Sequence, residues 1–85
     1  MTDMWRVLIY FKPEYSDLAE NLRNNYIAHQ EEADTISEEE QDDIEYARQK
    51  QYDEAIFIED SDWVIVHDIR SGYTNRCPVS DAYLK

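Results

Sequence analysis

One stretch constrains this chain more than any other. Met4 to Lys12 reads Met-Trp-Arg-Val-Leu-Ile-Tyr-Phe-Lys, nearly unbroken in apolarity and rich in β-branched and aromatic residues. Such a run fits a strand covered on both faces, placed inside a sheet. Alternation puts Trp5, Val7, Ile9 and Phe11 on one face and Arg6, Leu8 and Tyr10 on the other. Pro13 ends the strand, because it has no N–H to give to a ladder.

Helical signals follow. Ser16 is a candidate N-cap, and Asp17 and Glu20 stand in the first turn, where the helix dipole favours acids. Leu18, Leu22, Tyr26 and His29 recur at helical spacing and predict a helix from about Asp17 to about Ala33. Ser37-Glu38-Glu39-Glu40 reads as a capping box, which predicts a second helix from Glu38 to about Tyr52. Its apolar face is thin, made of Ile44 and Ala47 with Gln51 beside them.

The remainder reads as β-structure. Glu54–Glu59 and Trp63–Ile69 are short apolar runs, and Asp60-Ser61-Asp62 between them is turn chemistry, so the pair predicts a hairpin. Gly72 marks a second turn, Tyr73–Arg76 a short edge strand limited by Pro78, and Ser80–Lys85 a tail with room for one helical turn. The expected order is β-α-α-β-β(-β). The fold class is α+β, a small single domain with two helices packed on one face of an antiparallel or mixed sheet.

Eighty-five residues make one domain. A chain this short buries only about 60% of the surface its unfolded form exposes. A secreted domain of this size usually needs disulfides, and Cys77 stands alone. With no signal peptide or membrane span expected, the setting predicted is a reducing cytoplasm.

Charge is the strongest functional clue. Twenty acids face eight bases, a net charge of −12. That field repels nucleic acid and anionic membranes and favours basic partners. Nine of the fifteen residues from Glu31 to Glu45 are acids, and no Lys or Arg occurs between Arg23 and Arg48. On the expected second helix, Glu38, Glu39, Asp42, Asp43 and Glu45 share one broad side with Tyr46. At about 1.5 Å rise per residue, the acids of this segment come roughly every 2.5 Å, against about 1.7 Å per charge on duplex DNA. A solvated helix face explains part of such a run, since acids stabilise a first helical turn. The run nevertheless continues past the first turn despite mutual repulsion.

Three function classes follow. The first is a non-enzymatic acidic interaction protein, an inhibitor or DNA-mimic-like decoy of viral or anti-defence type. It would bind a basic, nucleic-acid-handling partner protein through Glu38, Glu39, Asp42, Asp43, Glu45 and Tyr46. The second is a structural or regulatory subunit that forms a homodimer or joins an assembly, with the acids serving solubility. The third, an enzyme, ranks last. Cys77 with His67 lacks a glycine-containing oxyanion loop, and His67, Asp68, Arg70 and Tyr73 as a nuclease would face a repelled substrate. No cofactor and no metal site is expected. Asp60-Ser61-Asp62 starts like a calcium loop, but Val64, Ile65 and Ser71 break the pattern. His29 and Glu32, three apart, are a weak ligand pair on the expected helix.

Overall fold

A computed structural model describes residues 5–83. Its elements are β1 (Arg6–Phe11), a 3-10 turn (Pro13–Tyr15), α1 (Ser16–Ala28), β2 (Glu32–Ser37), α2 (Ile44–Gln49), β3 (Glu54–Ile58), β4 (Trp63–Asp68), β5 (Tyr73–Pro78) and α3 (Val79–Tyr83). One five-stranded mixed sheet runs in the order β2-β1-β3-β4-β5. β1 pairs parallel with β2 and with β3, and the β3–β4 and β4–β5 pairs are antiparallel. The α+β class, the internal β1, the hairpin and the edge strand β5 all agree with the sequence reading. Met4, read as the start of the first strand, and Leu84–Lys85 in the tail lie outside the described residues.

β1 is central for the reason its composition gives. Val7, Leu8, Ile9 and Tyr10 are at most 2% exposed, alternating between two apolar layers. Val7 and Ile9 join Ala19, Leu22 and Tyr26 of α1, Ile56, Ile58 and Val64 of the sheet, and Val79 of α3. Leu8 and Tyr10 join Ala55 and Ala47, with Ile36, Ile44, Tyr46 and Phe57 around them. The Tyr10 ring stacks on Phe57 at 4.2 Å. Full burial of one such aliphatic or aromatic side chain is worth about 1.5–3 kcal/mol.

Two expectations need correction. The helices do not share one face: α1 and α3 cover one side of the sheet and α2 the other. Topology requires this. The chain crosses from β1 out to β2, then back over β1 to β3. Parallel crossovers are right-handed, so moves in opposite directions place their helices on opposite faces.

The second correction concerns the segment after α1. Helix α1 stops at Ala28, not Ala33, and the segment beyond it is strand β2. The stop is a Schellman turn: the Glu31 N–H donates to the Tyr26 carbonyl and the Gln30 N–H to the Ile27 carbonyl, both 3.0 Å, with Gln30 at φ 65°. Helix α2 ends the same way. Tyr52 N–H donates to the Ala47 carbonyl and Gln51 N–H to the Arg48 carbonyl, with Gln51 at φ 66°. β2 forms because Ala33 and Ile36 face the two apolar layers beside Val7 and Tyr10, while Glu32 and Asp34 remain in water.

Candidate partner-binding surface

The acidic segment is a strand, a turn and a loop, not one long helix. Ser37 does cap, but only a single turn. Its Oγ accepts the Glu39 N–H at 3.2 Å, and its carbonyl accepts the N–H groups of Glu40 and Gln41. The turn is not continued, consistent with the repulsion among Glu38, Glu39, Glu40, Asp42 and Asp43 that helical spacing would impose. Helix α2 starts later, with Asp43 as its N-cap: the Asp43 carboxylate accepts the Glu45 N–H at 3.0 Å. The Tyr10 hydroxyl pins this start by donating to the Asp43 carbonyl at 2.8 Å. The 2.5 Å helical charge spacing therefore does not describe this surface.

What the fold does bring together is one end of the sheet. β1, β2 and β3 are parallel, so their carboxyl ends lie side by side. Glu14 follows β1, Glu38–Asp43 follows β2, and Glu59 and Asp60 follow β3. The loop after β1 leads to a helix on one face and the loop after β2 to a helix on the other. A crevice opens at such a switch point, and it is where open sheets with parallel strands commonly bind ligands. The Glu38 N–H donates to the Phe11 carbonyl at 2.8 Å, which draws the two loops together.

The six predicted contacts differ in freedom. Glu38 is half-buried and pairs with Lys12 at 3.7 Å. Asp43 is the helix cap. Glu45 pairs with Arg48 at 2.9 Å. Tyr46 is half-buried against the α2 layer, with Lys50 over its ring at 5.7 Å. Glu39 and Asp42, joined by Glu40, are exposed and form no ion pair among the described residues. On the α2 face beside them lies a cleft of about 330 Å³ with an apolar floor of Phe57 and Ile65, rimmed by Lys12, Glu38 and His67. Burial holds the His67 imidazole below its ordinary pKa. His67 also meets the Phe57 ring edge-on and Thr74 Oγ1 at 3.0 Å.

Among the described residues, Lys12 and the arginines are already engaged. Arg6 pairs with Glu32, Arg23 with Glu20, Arg70 with Asp53, and Arg76 with Glu59, beyond the Lys12 and Arg48 pairs. Arg6 and Arg76 also lie over the rings of Tyr52 and Trp63.

Other candidate groups fall apart in space. His67 pairs across the ladder with Thr74 on the α2 face, whereas Cys77 packs in the layer under α1 and α3. A Cys–His couple therefore has the sheet between its members. Arg70 sits in the β4–β5 turn. His29 caps the end of α1 and Glu32 opens β2, so they are not neighbours on one helical face. Asp60 is spent on its turn, where its carboxylate accepts the N–H groups of Asp62 and Trp63. No group of three or more metal-ligating side chains gathers among the described residues.

Sequence reasoning missed the opposite, amino end of the sheet. Asp53 is 8% exposed: one carboxylate oxygen accepts the Arg6 N–H at 2.9 Å, the other Arg70 Nε at 2.5 Å. Glu54, 3% exposed, accepts the Trp5 indole N–H at 2.7 Å. Arg70 lies 5.3 Å from the Trp5 ring. Burial, reinforced by Glu54, Glu31 and Cys77, pushes the Tyr26 phenol up. The Tyr52 phenol is pushed up to about 12, by burial first and then by its 2.7 Å hydrogen bond to Asp34. No local pattern marks Asp53 and Glu54 as buried, because their partners Arg6, Arg70 and Trp5 are distant in sequence.

No family model matches the chain, and no curated protein sequence matches it. Its fold resembles part of a solved histidyl-tRNA synthetase from Nostoc sp. PCC 7120, with a TM-score of 0.72 at 12% identity. The likeness covers 94% of this chain and 21% of the synthetase, so the chain spans about a fifth of that protein. At that identity the likeness establishes fold. No helix among the described residues is long and apolar enough to cross a membrane.

Proposed function

We propose that this chain is a non-enzymatic, cytoplasmic interaction protein whose acidic carboxyl-end rim binds a basic protein. The observation that carries the reading is the exposed, uncompensated Glu39-Glu40-Gln41-Asp42 loop at the switch crevice of the sheet. Acids there face water while the cations around them are held in internal pairs. The Phe57–Ile65 cleft, with its mixed rim of Lys12, Glu38, Glu59 and His67 and the acidic loop following on from Glu38, matches the usual division of an interface into polar edge and apolar centre.

A nucleic-acid-handling protein is the target class that the charge favours, with the loop competing for lysines and arginines that otherwise hold phosphates. The inhibitor or DNA-mimic role, of viral or anti-defence type, rests on charge sign and exposure. The structural neighbour's name ties that enzyme to tRNA. Here a net charge of −12 and the engaged arginines argue against direct nucleic-acid binding.

The test is affinity capture from host lysate at low salt, eluted with a salt gradient, using wild type and the Glu39→Lys, Asp42→Lys double variant. Loss of a basic partner from the variant, with the circular dichroism spectrum unchanged, supports the reading. Capture that survives both the reversal and high salt removes it. Salt-resistant self-association would instead favour a structural or regulatory subunit, a reading that the 66% exposure of Tyr73 on an edge strand keeps open.

A further inference from the structure

Of the two sheet edges, β2 is guarded and β5 is not. Glu32 and Asp34 put exposed charge along β2, a common way of discouraging an added strand. β5 opens with Tyr73-Thr74-Asn75, three uncharged residues, all exposed. Arg76, the one charged residue of β5, is matched within its own chain: it lies 4.1 Å over the Trp63 ring and is bonded to both Glu59 carboxylate oxygens at 2.9 and 3.1 Å. Every second residue of an antiparallel edge strand turns its N–H and C=O away from the sheet. Pro78 blunts only the far end.

The topology also sets this edge apart from the charge. Residues 63–83, which form β4, β5, their turn and α3, hold two acids, Asp68 and Asp81, and two bases, Arg70 and Arg76. Residues 5–62 hold 17 acids and 5 bases, an excess equal to the whole net charge of −12. β2, flanked by Glu31, Glu32 and Asp34 and leading into the acidic loop, is the edge opposite to β5. In two sheets joined at β5, the two β2 strands would lie nine strand spacings apart, roughly 43 Å at about 4.8 Å each. The Debye length is about 8 Å at physiological ionic strength, so those acids barely meet across the join. Of the acids nearer to β5, Glu59 is held by Arg76 and Asp60 by its own turn.

We infer that β5 is a self-pairing edge: two copies of this chain join β5 to β5 antiparallel, about a two-fold axis through Asn75, and so continue one sheet into the other. Charge chooses the occupant. A neutral edge offers a basic partner nothing, whereas a second copy meets main-chain groups with no like charge opposed. An axis normal to the sheet keeps each side chain on its own face, so opposed residues share a face and the axis passes through a residue. At Asn75 it sets Tyr73 against Cys77, Thr74 against Arg76 and Asn75 against itself, engaging all five residues between Gly72 and Pro78. At Arg76 it would oppose two guanidiniums, and at Thr74 it would leave Cys77 outside the ladder. A ladder this short falls in the weak, concentration-dependent class of interfaces. The inference goes beyond the acidic-rim reading, since pairing leaves Glu39, Glu40 and Asp42 exposed in both copies.

The test is sedimentation equilibrium of the full chain from about 10 µM to about 1 mM, with wild type, Asn75→Lys, Asn75→Asp and an equimolar mixture of the two variants. Asn75 is exposed, so each variant should keep the wild-type circular dichroism spectrum. Wild type should dimerise, and added salt should not weaken it. Each variant sets like charges face to face on the axis and should dimerise about five-fold more weakly, although lysine lowers the net charge. The mixture opposes lysine to aspartate and should recover the wild-type association. A wild type that stays monomeric to about 1 mM overturns the inference. So does a variant that dimerises as well as wild type, or a mixture that shows no recovery. Dimerisation without a captured basic partner leaves this inference standing and removes the rim reading, and a captured partner with a monomeric chain does the reverse.

Discussion

Asp53→Asn should be the most costly isosteric change in this protein. The Asp53 carboxylate spans three pieces of chain: its own position before β3, the start of β1 through the Arg6 N–H, and the β4–β5 turn through Arg70. Its backbone adds two further ties, donating to the Arg6 carbonyl at 2.8 Å and accepting from the Ile69 N–H at 3.0 Å. An amide keeps one acceptor oxygen and turns the other position into a donor. Whichever way it sits, one N–H of Arg6 or Arg70 faces another N–H. If the Arg6 backbone bond is lost, a nearly buried donor is stranded, at about 1–3 kcal/mol. The Arg70 side chain is 62% exposed, so its pair adds only about 0.5–1 kcal/mol. Together the change costs roughly 2–4 kcal/mol. At about 4–8 °C per kcal/mol for a domain of this size, the thermal midpoint should fall by roughly 8–32 °C. Urea and thermal unfolding of Asp53→Asn, Arg70→Ala and the double variant measure this, with the double-mutant cycle isolating the pair. The reasoning is refuted if Asp53→Asn costs under about 1 kcal/mol, or if Arg70→Ala alone costs as much as Asp53→Asn.

Two further perturbations follow from the structure. Gln51→Gly and Gln30→Gly should each stabilise by about 0.5–1 kcal/mol, because glycine takes the positive φ without the Cβ clash while the Schellman bonds are retained. Chemical denaturation would show raised midpoints at unchanged slope, and a loss of stability at either site would contradict the turn assignment. Tyr52 ionises in the folded state near pH 12 against 10 for a free phenol, so the unfolded chain releases this proton first. Its contribution is complete below about pH 10 and is lost as pH rises from there towards 12. Alkaline unfolding followed by tyrosine absorbance should show a smaller loss in Tyr52→Phe than in wild type, the remainder coming from the buried Tyr26 and Tyr10 phenols.

The sequence made β1, the β3–β4 hairpin and the β5 edge legible because each obeys a local rule: a continuous apolar run, alternation, and turn residues between. It hid β2 because that strand sits at an edge, where Glu32 and Asp34 are tolerated and only Ala33 and Ile36 face the layers. It also hid both helix ends. A reader looks for glycine at the left-handed position, and this chain with one glycine uses Gln30 and Gln51 instead. The capping signal at Ser37 was real but local, closing one turn. Of the candidate site, residue identities and charge were readable. Their grouping was not, because it depends on the return of the chain across β1, which no local pattern encodes.

That return also explains why the two ends of the sheet differ. At the amino end, Asp53 and Glu54 enter the interior and are matched there by Arg6, Arg70 and Trp5, so charge is spent on joining β1, β3 and the β4–β5 turn. At the carboxyl end, the loops after β1 and β2 are tied at Phe11 and Glu38 and then leave for helices on opposite faces, and the acids that follow Glu38 remain in water. Mutual repulsion among Glu39, Glu40 and Asp42 therefore falls on a loop that carries no core residue. The chain concentrates unmatched acid where topology leaves a crevice, and it is that coincidence of charge with switch point that makes the rim the surface to test first.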